Sequence, residues 1–549
     1  MGPPSDANGQ ITTPLTCLVL TRLSIPIGHR RRFLKKTRVI RTAKVPTRPR
    51  RRGTLSVGPT MFVATPRGWA PIGWNRQSSS LVATRGSRRQ RGALPARSAS
   101  KSSRDPEVAP SKTKTQQPEQ NPSAQLTTPT AREPLKPFDV PRLPARDRRF
   151  RPLTPPPPAS EFPPYQPRDF FRYELVHQSK KSAARVGRIH TPHGVIETPG
   201  YVAVGTNGAL KAVPHHELAA AGIDLMFSNT YHLVLQPGPE KVAAAGGLHK
   251  FIGRDGPIIT DSGGFQVFSL ARPNTEDGLE MKSRRPSKQK GSDGLLLRMN
   301  EHGVLFKSYR DGTDVVLTPE SSVEAQKLIG ADIIIPLDEL PPYHIDPAVL
   351  EKSVYMSHRW EARSLATHLK DVRQQAMYAV IHGGVDRDLR RMSAEYLASL
   401  PFDGFAIGGS LGKNTAELVD LLEFLMPLLP KDRPNHLLGI GDVGSILGAI
   451  PHGVDTFDST FPTKNARHGQ LLTRSRGAFN ILRAENASLY EPPCYECKCQ
   501  LCTHHTVAYI HHLYKANEPT GTTLATAHNL HYMGWLMQSQ REKILNDEV

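Results

Sequence analysis

The chain has 549 residues, 71 Lys and Arg against 50 Asp and Glu, a formal charge of +21 and 38% hydrophobic residues, which is length and apolar content enough for a large core and more than one domain. No run of 18 or more apolar residues occurs, which excludes a transmembrane helix. Residues 1–100 hold twenty Lys and Arg against the single acid Asp6, leaving 51 basic and 49 acidic residues for the rest, so any nucleic-acid contact beyond the first hundred residues must rest on a local patch, not on net charge.

Residues 1–165 are rich in Arg, Pro, Ser and Thr, lack a sustained apolar period and end in Pro155 to Pro158, Pro163 and Pro164. This composition predicts a disordered extension. Its basic, nearly acid-free first hundred residues suit an organelle transit peptide, which would place the protein in a mitochondrion or chloroplast and otherwise in the cytoplasm. Arg-rich runs such as Arg48 to Arg52 could instead hold RNA phosphates.

From Phe170 onward short apolar runs alternate with helix-like segments. Eight runs predict strands: 202–204, 225–227, 257–260, 332–337, 377–381, 405–407, 436–440 and 454–457. Amphipathic stretches lie between many of them, among them Pro319 to Ile329 after Thr318, Ala348 to Leu369 and Ala416 to Leu429. Eight strand–helix units predict an α/β fold, a (β/α)8 TIM barrel over residues 166–549, with a doubly wound open sheet as the alternative. The polar stretch from Arg272 to Arg298 reads as a mobile surface insertion.

In a barrel of this kind chemistry gathers where strands end. The residues there include Asn229 to His232, Asp261, Ser262, Gly263, Gly264, Phe265 and Gln266, Asp338 and Glu339, His382, Gly408 and Gly409, Gly439 to Asp442, and Asp458 to Thr460. Any one is explained by a helix cap or turn geometry. Together, carboxylates, glycines and an aromatic ring can hold a flat heterocycle with paired N–H donors, and guanine presents such an edge.

Four of the five cysteines lie between Cys494 and Cys502. Cys497, Cys499 and Cys502, with His528 twenty-six residues beyond the last of them, offer three thiolates and an imidazole to one structural zinc ion, in a subdomain at about 490–530. The alternative is a surface cysteine cluster with Cys494 competing as ligand. Clustered thiols imply a reducing compartment.

From about Phe170 to Ile544 the chain resembles the tRNA-guanine transglycosylases, also called queuine tRNA-ribosyltransferases. The resemblance rests on Ser228-Asn-Thr-Tyr-His-Leu233, Thr260-Asp-Ser-Gly-Gly-Phe-Gln266, Gly408-Gly409, Asp455-Thr-Phe-Asp458, Pro462-Thr-Lys-Asn-Ala-Arg467 and the cysteines with their distant histidine. It implies a TIM barrel with a zinc subdomain, and exchange of the wobble guanine of tRNAs with GUN anticodons for a 7-deazaguanine. By the same resemblance Asp458 is the nucleophile and Asp261 the general acid/base. Asp338 reads the base's N1 and N2 edge, Gly409 offers a backbone group, and Ser262, Gly263, Gly264 and Phe265 line the pocket. Gly439, Ile440, Gly441, Asp442, Val443, Gly444 and Ser445, with Thr463, Lys464, Asn465, Ala466 and Arg467, match the segments that touch the anticodon loop. Family members dimerise, so a homodimer or a heterodimer with a related subunit is expected.

Two departures bear on substrate. His382 stands where the family usually has glutamine, and an imidazole cannot offer an amide's donor and acceptor on one planar end. Asn414 replaces the usual acid after Gly408-Gly409, which favours queuine over the cationic 7-aminomethyl-7-deazaguanine. A non-catalytic tRNA-binding subunit is the alternative in another class, and retention of both Asp261 and Asp458 argues against it.

Overall fold

The computed structural model describes residues 153–270 and 295–549. Eight parallel strands close into a barrel: β1 (Gly200–Val204), β2 (Met226–Ser228), β3 (Ile258–Thr260), β4 (Ile333–Ile334), β5 (Ala376–Ile381), β6 (Gly404–Ile407), β7 (Asn435–Leu437) and β8 (Thr456–Ser459). Each expected run contributes one strand. The ring closes where Thr456 to Ser459 of β8 pair in register with Gly200 to Ala203 of β1, so the open-sheet alternative is excluded.

Strand periodicity sorts the side chains. Val202, Phe227, Ile259, Ile333, Tyr378, Val380 and Ala406 fill the lumen. Their neighbours Tyr201, Met226, Ile258, Ile334, Met377, Phe405, Leu437 and Phe457 pack outward in the layer under the helices, as a two-residue repeat requires. The same alternation puts Asp458 of β8 on the lumen side and, carried past the ends of β3 and β5, Asp261 and His382 as well.

The helices follow from their caps and apolar phase. Helix α1 (Pro319–Ile329) starts on Thr318, whose hydroxyl accepts from Ser321 N while Ser321 Oγ accepts from Thr318 N, with Pro319 at the first helical position and Gly330 closing it in the left-handed conformation. Asp346, Asp386, Asn414 and Asp442 likewise cap α2 (Pro347–Leu369), α3 (Arg387–Ala398), α4 (Thr415–Leu425) and α5 (Val443–Ala449). Helix α6 (Phe461–Arg467) follows β8 directly, and α7 (Pro519–Leu545) runs along the N-terminal strands of the unit. A Cβ on Gly534 of α7 would lie 1.7 Å from the Ala221 carbonyl oxygen, so the close approach there admits only glycine. Among the described residues no helix is long and apolar enough to cross a membrane.

Three small sheets among the described residues had no counterpart in the sequence reading, one of them the antiparallel pair Gln470–Thr473 and Gly477–Asn480. Arg172–Gln178, Arg185–Thr191 and Gly194–Thr198 form an antiparallel sheet, and Phe171, Ile189 and Ile196 from this region complete the lumen cluster from below. Leu296–Asn300, Gly303–Lys307 and Asp314–Leu317 form another. The expected insertion at 272–298 is therefore corrected at its end, since 296–298 are paired strand; 271–294 lie outside the described residues. Residues 1–152 of the expected extension also lie outside them. Residues 153–165 belong to the folded unit instead: the Pro157 carbonyl accepts from Tyr396 Oη at 2.9 Å, and the Arg433 guanidinium sits 4.4 Å from the Tyr165 ring centre.

At the foot of β8, fully buried Asp455 receives Nε and Nη2 of Arg185 at 2.9 and 2.6 Å, Tyr173 Oη at 3.0 Å and Asn435 N at 2.8 Å. Arg185 Nη1 and Nη2 also donate to the Lys431 and Arg433 carbonyls at 2.7 and 3.1 Å. Removing one partner leaves a buried charge without compensation. Arg185→Leu is expected to lower unfolding free energy by about 3 kcal/mol; an unchanged urea midpoint would refute this.

Candidate active site at the barrel mouth

The C-terminal ends of the strands bring the sequence-nominated carboxylates to one mouth. Asp261, directly after β3, is nearly filled with donors: Asn229 Nδ2 and Gln266 Nε2 reach Oδ2 at 2.6 and 2.8 Å, and Thr230 N reaches Oδ1 at 2.8 Å. Burial pushes its pKa up from 3.8, these hydrogen bonds pull it back, and it settles at about 6. A carboxyl poised there can hold or release a proton near neutrality. Asn229 and Gln266 sit in the two motifs quoted from sequence, but nothing in the sequence alone showed that both turn onto Asp261.

Asp458 lies in β8 itself and is built differently. Its Oδ1 accepts from Gly439 N at 2.8 Å and faces His436 Nε2 at 3.2 Å. The Nδ1 of His436, on β7, meets Thr456 Oγ1 of β8 at 2.9 Å, so Thr456 fixes the ring and the ring fixes the carboxylate. Oδ2 is left for chemistry. Gly439, expected to face RNA, thus already spends its backbone N–H on Asp458.

The base-facing set is contiguous. Ser262 Oγ donates to Asp338 Oδ1 at 3.2 Å. His382 Nε2 lies 3.3 Å from Asp338 Oδ2 and 3.7 Å from Glu361 Oε1, in ion-pair range of both and aligned for a hydrogen bond with neither. Buried Glu361, on α2, is held well above the usual carboxylate range by burial, against a hydrogen bond from Val380 N. Sequence reading missed it, because a Glu in an amphipathic helix ordinarily faces solvent. A Cβ on Gly409 would lie 3.6 Å from His382 Nδ1, which places that strand-end glycine against the imidazole. Ser262, Gly263 and Gly264 are buried, and Phe265 is half-exposed at the rim.

Around the mouth, Gly439 and Gly444 are exposed, Ile440, Asp442 and Val443 are partly so, and Gly441 and Ser445 are buried. Asp442 Oδ1 is occupied capping α5 through Ser445 N at 3.1 Å. On α6, Lys464 is exposed, Asn465 and Arg467 are partly exposed, and Thr463 and Ala466 are buried. Arg467 Nη1 donates to the Thr463 carbonyl at 2.9 Å. Lys464 and Arg467 are the cations this face offers. Asn414, read as a lost acid, has a structural task, accepting from Glu417 N at 3.0 Å as the cap of α4.

Away from the mouth, the ligand atoms of Cys497, Cys499, Cys502 and His528 all lie within 4.8 Å of one another. His528 Nδ1 faces Cys499 Sγ and Cys502 Sγ at 3.4 and 3.2 Å, while Nε2 meets the Leu472 carbonyl at 2.8 Å. That carbonyl fixes the tautomer that leaves Nδ1 free to ligate. Cys494 stands apart, its thiol on Glu496 Oε2 at 3.1 Å, so the competing-ligand alternative fails. Three sulfurs and one nitrogen give four protein ligands, a donor set that suits a structural metal. A second group, His193, His249 and Asp332, does not: the two rings stack 3.5 Å apart at 10°. An ion cannot lie in two nearly parallel planes at once. Each imidazole instead takes one oxygen of Asp332, at 2.7 and 3.1 Å.

A closed (β/α)8 barrel with two unlike buried carboxylates at its mouth has the layout of a barrel enzyme whose chemistry sits at the strand ends. The family model described as queuine tRNA-ribosyltransferase matches residues 179–292 and 287–549. The queuine tRNA-ribosyltransferase of Protochlamydia amoebophila is 58% identical over 380 residues, 69% of this chain and 97% of that protein. Those of Chlamydia caviae and Chlamydia muridarum are each 52% identical, over 69% of this chain and 99% of their own length. The chain belongs to the queuine tRNA-ribosyltransferase family and is an enzyme of the transglycosylase class.

Because hydrogen bonds to the ionised form hold the Asp261 pKa down, deleting one should raise it. In Asn229→Ala the titration of Asp261, followed by carboxyl 13C NMR, is expected to move above its midpoint of about 6. A midpoint that stays put or falls would contradict the assigned cause.

Proposed function

We propose that this enzyme exchanges the wobble guanine of tRNAs with GUN anticodons for queuine, or for 7-aminomethyl-7-deazaguanine, through a covalent ester between Asp458 and the ribose. The observation that carries the reading is the unlike environment of the two carboxylates: Asp458 is anchored through one oxygen only, whereas burial lifts Asp261 to a pKa of about 6.

Asp458 Oδ2 attacks C1′ of the target nucleotide as the bond from C1′ to the base nitrogen breaks, and the bonding electrons leave with guanine. Asp261, protonated, hands its proton to the departing base. The ester keeps the RNA intact while guanine leaves and the 7-deazaguanine enters. Asp261, now a carboxylate, takes a proton from the entering base, whose nitrogen displaces Asp458 and restores the original configuration, as in retaining glycosidases. Asp338 accepts the N–H groups of the base edge, with Ser262 holding it and His382 behind it. The loss of negative charge at Asn414 supports queuine as the preferred base.

The RNA meets Lys464 and Arg467 and the exposed glycines of the Gly439 to Ser445 turn. Loop bases are already unpaired, so extrusion costs only a few kcal/mol. Zinc is the ion that Cys497, Cys499, Cys502 and His528 would hold; its role is to fasten the segment around 490–530 to α7, apart from the chemistry. Two chains, alike or related, would hold one tRNA, and the basic N-terminal segment reads as a transit peptide.

Asp458→Asn is expected to lower incorporation of labelled guanine into tRNA by about 1,000-fold or more and to abolish a protein–tRNA adduct stable to denaturant. Undiminished exchange, the behaviour of a non-catalytic scaffold, would overturn the reading. For the metal, His528→Ala is expected to lose bound zinc by elemental analysis and to lower Tm by roughly 5 °C or more; full zinc retention would remove His528 from the ligand set.

A further inference from the structure

Arg390, on α3, is fully buried, and among the described residues no carboxylate pairs with it. Its guanidinium is spent on main-chain carbonyls: Nε on Gly384 at 2.8 Å, Nη1 on Ile381 at 2.6 Å, and Nη2 on Gly408 and Ser410 at 2.8 and 3.0 Å. Ile381 is the last residue of β5, and the other three lie on the segments that follow β5 and β6, which also carry His382 and Gly409. Burial pulls the guanidinium down to about 9, and it remains a cation at neutral pH.

Two consequences follow from elementary geometry. A trans peptide points its N–H opposite to its C=O. With the Gly408 carbonyl turned onto Arg390, the N–H of Gly409 is turned away from it, and Gly409 reaches this conformation at φ +75°, which a side chain rarely adopts. The second consequence is electrostatic. A Cβ on Gly409 would lie 3.7 Å from Arg390 Nη2, so an uncompensated positive charge sits directly under the residue that offers its backbone to the base.

We propose that Arg390 is a positioning residue for base exchange: it turns the Gly408–Gly409 peptide so that the Gly409 N–H meets the 6-oxo group of the purine, and its buried charge favours the negative charge that the departing purine gathers. This rests on the base-exchange reading above. A neutral side chain would leave the Gly384, Gly408 and Ser410 carbonyls without this donor, only Ile381 keeping another in the Gly408 N–H at 3.2 Å, and let the Gly408–Gly409 peptide turn over, removing a donor aimed at developing charge. Lysine supplies charge without the planar fork that spans two strand ends.

The test measures exchange of labelled guanine into tRNA by the full chain and by Arg390→Met and Arg390→Lys. It also measures tRNA affinity, and inhibition by guanine against 2-aminopurine, which lacks the 6-oxo group. Arg390→Met should lose about 100-fold in kcat with tRNA affinity within about threefold, a small difference in binding energy, and its preference for guanine over 2-aminopurine should shrink about tenfold, one hydrogen bond's worth. Arg390→Lys should fall between Met and the parent. A merely structural role would weaken both purines and tRNA together. That result, or an Arg390→Met variant as active and selective as the parent, would overturn the proposal. If Arg390→Met does not fold, Arg390→Lys decides by the same ratio: an unchanged preference overturns the proposal. Exchange by the parent chain separates the two readings, since its absence would sink base exchange itself.

Discussion

The ion pair of Asp455 with Arg185 fixes the strand on which the chemistry depends. Asp455 stands three residues before Asp458, and its carboxylate gathers the guanidinium of the N-terminal sheet, a tyrosine hydroxyl and the Asn435 N–H at the start of β7. Its carbonyl accepts from Gly200 N at 2.8 Å, where β1 begins. One residue therefore ties β8 to both neighbours and to the sheet beneath. With the foot of β8 held, register carries the alternation upward, and Asp458 emerges on the lumen side beside His436 with no freedom to choose the other face. Barrel closure and active-site placement are one event.

The two carboxylates then differ because their surroundings differ. Asp261 is surrounded by donors from a side-chain amide on each flank and a backbone N–H, yet burial outweighs them and leaves it protonatable near neutrality. Asp458 is fastened through one oxygen to an imidazole and an N–H, leaving the other oxygen uncommitted. A group that must exchange protons and a group that must form a bond need opposite environments, and strand ends on different sides of one mouth supply them.

How much of this was legible in the sequence depends on whether the signal was local. Each barrel strand was readable as an apolar run ending in a polar residue or glycine, and α1 was readable to the residue because Thr318, Pro319 and Gly330 mark its ends. The cysteine ligands were readable because thiols crowd in sequence as they do in space. The sheet under the barrel was not, because Arg172–Gln178 carries Arg, Glu, His and Gln with little apolar alternation and is mostly solvent-facing. Glu361 and His436 were missed for a different reason. Their partners, His382 and Asp458, are more than twenty residues away along the chain, and no local pattern distinguishes a buried Glu or His from a solvated one.

Arg390 shows where a local signal existed and was overlooked. In the run Arg387-Asp-Leu-Arg390-Arg391, three cations read as a charged helical face. Yet Arg390, Ser393, Ala394 and Leu397 follow the i, i+3, i+4, i+7 pattern of one buried stripe, while Arg387 and Arg391 fall outside it and lie over the ring of Phe424 at 5.2 and 5.1 Å. Helical phase alone separates the one arginine that enters the protein from the two that stay on its surface. An arginine on the apolar stripe of a barrel helix must find acceptors or leave the core, and the nearest unsatisfied acceptors in this architecture are the carbonyls that turn inward after the strands end. A buried cation on such a helix is therefore drawn to the same strand-end segments that carry the chemistry, which is why phase, read residue by residue, can locate groups that no motif contains.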